Sequence, residues 1–242
     1  MSITIVDVAT NQNSNSQTAA TPAEPTGATT DDLMLMIDTM DDPGTTAIWT
    51  ETDTAFVQID NINDATGNDK TVYLGRKKHT GTPGSYTNTH DQVAGPTAGA
   101  LACFRGVDTT TPMDVTYVRA THSNSALNTP TTAAPAITTV TDGAMVVLCQ
   151  YLSNTISGAP GPPTGYTELA AFCGNAAFSN DGLYMCYKIV ANAGVETPGA
   201  FTHTDVTGTS DTTCITIALR PAAGAGIGRL GGIDNRFNSF IR

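Results

Sequence analysis

Five short motifs occur twice in this chain in the same order, and no other feature constrains its fold as much. Thr30-Asp31-Asp32-Leu33-Met34-Leu35-Met36-Ile37 returns as Thr141-Asp142-Gly143-Ala144-Met145-Val146-Val147-Leu148, at an offset of 111. Trp49-Thr50-Glu51 returns as Tyr166-Thr167-Glu168 at 117, and Val72-Tyr73-Leu74 with Lys77 returns as Leu183-Tyr184-Met185 with Lys188 at 111. Thr82-Pro83-Gly84-Ser85-Tyr86-Thr87 returns as Thr197-Pro198-Gly199-Ala200-Phe201-Thr202, and Phe104-Arg105 as Leu219-Arg220, both at 115. Offsets that drift only across loops predict an internal duplication. One copy lies near residues 29–106 and the other near 139–221.

Each copy reads as a series of short strands. An apolar strand (33–37, 144–149) meets a Pro/Gly turn and then an aromatic-led strand. A central strand (71–77, 183–190), an aromatic strand after Pro-Gly (86–89, 201–204) and a closing strand (99–105, 213–219) follow. Regular turns between short strands predict an all-β, antiparallel β-sandwich, jelly-roll-like and pseudo-duplicated. Only 14% of residues are charged, and Gly and Pro are frequent, which suits tight turns better than long helices. Strands 33–37 and 144–149 are apolar on both faces and should lie mid-sheet. In the closing strand Ile215, Ile217 and Leu219 should share one face, with Cys214, Thr216 and Ala218 on the other.

The remaining segments divide the chain into a strand and extended arm at 1–28, a first half with its connection at 29–138, a second half at 139–221, and a C-terminal arm at 222–242. Ile3 and Ile5 alternate as in a short strand. Residues 9–30 are polar enough to be disordered if isolated. Met113 to Val118 reads as one more strand, and Ser123 to Pro135 as loop. The C-terminal arm opens on a flexible Ala-Gly run and then spaces Ile227, Leu230, Ile233, Phe237 and Phe240 at near-helical intervals. It carries Arg229, Arg236 and Arg242 against Asp234, a net of +2, which leaves −13 on the preceding residues of a chain at −11. A basic, apolar arm on an acidic body predicts partner docking through those eight residues.

Composition and spacing exclude several function classes as expectations. The one close basic run, Arg76-Lys77-Lys78, reads as a solvated strand end, so no nucleic acid is expected. No apolar run reaches membrane-span length, and the N-terminus lacks a signal-peptide pattern, so a soluble protein made in a cytoplasm is expected. The five cysteines (Cys103, Cys149, Cys173, Cys186, Cys214) lack paired metal spacing and read as buried free thiols. His79, His90, His122 and His203 are scattered, and the His203-Thr204-Asp205 pairing has no counterpart at Asn88-Thr89-His90. Asp31-Asp32 and Asp41-Asp42 flank turns, where Asp hydrogen-bonds backbone. The oxygen-rich loop Asp60 to Asp69 lacks the order and closing Glu of an EF-hand. Neither a P-loop nor a nucleophile elbow occurs. No catalytic, cofactor or metal residues are therefore assigned, and a non-enzyme is expected.

One further set of phrases carries a resemblance. An Asp-led apolar strand precedes the turn Pro163-Thr164-Gly165-Tyr166 and the strand Tyr187-Lys188-Ile189-Val190-Ala191. The phrases Phe104-Arg105-Gly106-Val107-Asp108 and Thr111-Pro112-Met113-Asp114 accompany them. Across about residues 29–221 the chain resembles the β-sandwich structural proteins of tailed bacteriophages, which decorate capsids or associate with tails. The resemblance implies a virion location after assembly in a host cytoplasm, other virion proteins as partners (major capsid or tail protein), and a homo-oligomer such as a trimer. A capsid decoration or cement role stands first. A tail, baseplate or fibre component that binds host glycans, with Trp49 and Tyr166 as first contacts, stands second, and a non-phage surface or filament protein third.

Overall fold

The computed structural model describes residues 1–224 apart from positions 18, 42–48, 52–54, 65–69, 83, 85, 91–94, 127–132, 154–160, 173–181 and 204–208. The described residues contain strands and no helix. In chain order the strands are β1 (Thr4–Gln17), β2 (Ala19–Ala20), β3 (Leu33–Asp41), β4 (Trp49–Glu51), β5 (Val57–Asp64), β6 (Lys70–Lys78), β7 (Asn88–His90) and β8 (Gly95–Arg105). They continue as β9 (Val118–Ala126), β10 (Ile137–Thr139), β11 (Met145–Ser153), β12 (Thr167–Phe172), β13 (Gly182–Ile189), β14 (Gly194–Glu196) and β15 (Thr209–Leu219).

Two five-stranded antiparallel sheets form the body, ordered β1-β8-β3-β6-β5 and β12-β13-β11-β15-β9. Read from its other edge, the second order places β9, β15, β11, β13 and β12 where the first has β1, β8, β3, β6 and β5. Register agrees with order: Leu33 stands opposite Lys78 and Phe104, as Met145 stands opposite Ile189 and Leu219. β3 and β11 are the central strands, which explains why both are apolar on both faces.

The inward faces of the two sheets share one apolar cluster. Leu33, Leu35 and Ile37 of β3 meet Val147, Cys149 and Tyr151 of β11, together with Ile215, Ile217 and Leu219 of β15. Burying each such aliphatic side chain stabilises the fold by about 2 kcal/mol. Each outward face is covered by its own loops and a small sheet, β2-β7-β4 on the first and β10-β14 on the second. Met34, Met36, Leu101 and Cys103 lie under Phe56 and Tyr86, and Val146, Leu148, Cys186, Cys214 and Ala218 lie under Tyr166 and Phe201. An edge-to-face ring pair sits in each outer cluster, Phe56 with Tyr86 at 5.8 Å and Tyr184 of β13 with Phe201 at 5.6 Å. The alternation expected of the closing strand is present, with Cys214 and Ala218 turned outward.

The backbone corrects two of the sequence matches. Asp31, not Asp32, corresponds to Gly143: the Asp31 N–H donates to the His79 carbonyl and the Gly143 N–H to the Val190 carbonyl, both at 2.9 Å. Both residues are left-handed, with φ of 73° and 76°. Likewise Phe56, not Trp49, occupies the place of Tyr166, because Val57 and Gln58 pair with Arg76 and Gly75 as Thr167 and Glu168 pair with Tyr187 and Cys186. The first strand of each half extends beyond the expected copies. The polar stretch to Gln17 belongs to β1, paired with β8, and β9 runs from Val118 into the stretch expected as loop. Met113 makes only an isolated bridge, to Leu219.

In the two five-stranded sheets all four edge pairings carry register shifts, at Ile5/Asp7 and Asn13/Gln17, Gln58/Asp60, Glu168/Ala170 and Ser210/Thr212. The four interior pairings run without one. Bulges concentrated at edges twist the ladder away from an incoming strand.

Candidate functional site

Two open grooves run along the seams where an edge of one sheet faces an edge of the other. One is lined by Ile5, Val6, Asp7 and Val8 of β1 and by Thr167, Glu168, Leu169 and Tyr187. The other is lined by Val57, Gln58, Ile59 and Arg76 and by Met113, Val115, Thr116 and Tyr117. They occupy corresponding places, since Thr167, Glu168 and Leu169 align with Val57, Gln58 and Ile59 in register. Ile5, Val8, Leu169 and Tyr187 floor the first groove, and Ile59, Met113 and Tyr117 the second, all half-buried against the shared core.

The bulges create these floors. Between Ile5 and Asp7 an extra residue breaks the period-two alternation, so Ile5 and Val8, three apart, both turn toward the core. Leu169 is the extra residue between Glu168 and Ala170, and both Leu169 and Ala170 pack on the core. Sequence reasoning did not single out the groove residues. The available signal was this broken alternation of apolar residues in an otherwise polar segment.

Charge distinguishes the two seams. The β1/β12 groove holds Asp7, which accepts the Thr26 N–H at 2.7 Å, and Glu168, which accepts the Tyr184 hydroxyl at 3.0 Å. The β5 seam holds Arg76 in the groove, with Arg119 bonded across it to Asp60 at 3.0 Å. Burial first, and then Asp60, raises the Tyr117 phenol pKa above its ordinary value.

The remaining polar constellations brace the fold. Glu24 accepts from the His79 ring at 3.2 Å, from the Gly84 N–H at 2.7 Å and from the Tyr86 hydroxyl at 3.4 Å. The Gly81 N–H donates to His79 Nδ1, so Nε2 carries the proton given to Glu24. Asp114 joins Arg220 to the backbone N–H groups of Val140 and Thr141. The basic run expected as a solvated strand end divides its roles. Arg76 lines a groove, Lys77 lies over the Phe56 and Tyr86 rings, and Lys78 pairs with Asp31 at 3.0 Å.

Of the residues singled out from sequence, Tyr166 is 7% exposed, with Lys188 over its ring and its hydroxyl donating to Glu196 at 3.1 Å. So placed, it offers no open face to a sugar ring. Trp49 sits in β4 opposite His90, and its side chain lies outside the described residues. The docking residues Ile227, Arg229, Leu230, Ile233, Arg236, Phe237, Phe240 and Arg242 also lie outside them. Asp60 of the oxygen-rich loop is engaged by Arg119, and positions 65–69 are outside. His203 is buried, while Asp205 is outside. Among the described residues no group of three or more His, Cys, Asp or Glu is placed to hold a metal ion. Cys103, Cys149, Cys186 and Cys214 are buried and form no disulfide among the described residues, and burial pushes Cys103 and Cys149 up to about 12. No protein-family model, curated protein or solved structure matches the chain.

Proposed function

We propose that the chain is a duplicated β-sandwich acting as a non-enzymatic structural protein of a tailed-phage virion. Its first assignment is a capsid decoration or cement protein whose arms hold neighbouring subunits. The observation that carries this reading is the meeting of the N-terminus with the root of the C-terminal arm at one place on the body. The Met1 ammonium donates to the Ala222 carbonyl at 3.3 Å, and the Ala222 N–H donates to the Gly106 carbonyl at 2.7 Å. The C-terminal arm thus departs from a braced root, which suits transmission of a holding force.

Duplication is supported by the matched strand order, register and edge bulges. In a jelly roll, strands alternate between two sheets through Greek-key connections. Here the two large sheets divide the chain by half, β1, β3, β5, β6 and β8 in one and β9, β11, β12, β13 and β15 in the other, which favours two fused copies over a jelly roll. Electron cryo-microscopy of particles that contain this chain tests the function. Many copies on the capsid surface, joined through residues 222–242, are expected. Copies confined to a tail or baseplate would overturn the cement assignment, and absence from purified particles would overturn the virion reading.

A further inference from the structure

We propose that the groove between β1 and β12 is the receptor for the chain's own C-terminal segment, residues 225–242. The segment binds in cis in the free subunit and by exchange between identical copies in an assembly. The exchange half rests on the virion reading above.

Three observations select this segment and this groove. First, the root is adjacent: a Cβ added to Gly224 would lie 3.4 Å from the Met1 nitrogen. Ile5, the first groove residue, is four residues further along, about 13 Å in extended chain. An extended segment of this length reaches up to about 60 Å, so the whole groove is within its span. Second, the groove floor of Ile5, Val8, Leu169 and Tyr187 is apolar and only half covered. The segment supplies Ile227, Leu230, Ile233, Phe237 and Phe240 to cover it. Third, charge discriminates between two otherwise corresponding grooves. Asp7 and Glu168 line this one, whereas Arg76 lines the other and would repel Arg229, Arg236 and Arg242.

Attachment beside the groove gives the segment a high effective concentration, so a weak contact is occupied in the free chain. Identical copies brought together can trade identical segments at little cost, as in domain swapping.

The test replaces Phe237 with a photo-crosslinking phenylalanine analogue in the full chain, irradiated in dilute solution and mapped by mass spectrometry. Adducts within Ile5–Val8 or 167–169 are expected. Adducts on 57–59 or 113–117, or no adduct, would overturn the proposal. Asp7→Asn with Glu168→Gln keeps both hydrogen-bond acceptors and removes the charges, and should lower the adduct yield about fivefold. An unchanged yield overturns the selection by charge, and the proposal with it. Irradiated particles should give adducts between chains. If the free chain labels the groove but particles give only intrachain adducts, the groove stands and the arm-exchange role falls.

Discussion

Arg105 and Asp32 meet in a two-point contact, Nε to Oδ1 at 2.9 Å and a terminal guanidinium nitrogen to Oδ2 at 2.7 Å. The same carboxylate accepts the Thr29 N–H at 2.8 Å, so one buried group ties the end of β8 to the start of β3. Burial opposes ionisation of Asp32, but Arg105 and Thr29 overcome it and hold its carboxyl below the ordinary 3.8. A depressed folded-state value contributes stability above the unfolded value, and that stability is lost as pH falls through the folded one. Asp32→Asn should cost about 2 kcal/mol at neutral pH. Urea midpoints should show the gap to wild type closing below pH 3.8.

His203 has a separate acid limit. Burial pushes its imidazole down from 6.5 to about 4, and among the described residues neither ring nitrogen has a hydrogen-bond partner. The unfolded chain takes up a proton here first, so stability should fall as pH drops from about 6.5 toward about 4. His203→Phe should flatten that part of a chemical-denaturation profile while leaving the Asp32-dependent part, at lower pH, in place.

Asp31 and Gly143 solve one backbone problem with different residues. A left-handed conformation costs an ordinary side chain roughly 1 kcal/mol, and Asp or Asn less. Gly143→Ala should therefore lower stability by about 1 kcal/mol. Gly143→Asp should lose less, as measured by thermal unfolding of the two variants side by side.

Tyr166 separates a binding role from a folding one. Its ring is covered by Lys188 and packs on the outer face of β11 and β13. Tyr166→Ala should cost about 3 kcal/mol. Tyr166→Phe should cost only about 1 kcal/mol, through the lost bond to Glu196. Glycan-array signal that Tyr166→Phe abolishes while its Tm stays near wild type would contradict a purely structural role.

The central strands were legible because their residue pattern depends only on burial. Met34 to Ile37 and Val146 to Leu148 are apolar without alternation, and that pattern belongs to strands covered on both sides. β1 and β9 were not legible, because Asn11-Gln12-Asn13 and Thr121-His122-Ser123 match the composition of a loop. Their strand state comes from pairing with β8 and β15, a long-range contact that composition does not encode. The match of Trp49 with Tyr166 failed because two aromatics in similar turns outweighed the strand register, which selects Phe56. The grooves were hidden for a related reason. They form between segments far apart in sequence, Ile5–Val8 with 167–169, brought together only when the two sheets meet.

The interrupted ladders at the four edges of the two large sheets have a consequence for concentration. A subunit made in many copies meets itself often, and a regular free edge would let each encounter grow into a filament. With the edge strands of both large sheets out of step with their neighbours, strand-by-strand growth from those sheets is disfavoured. Self-association is thereby steered away from edge pairing of the large sheets and toward contacts between side chains.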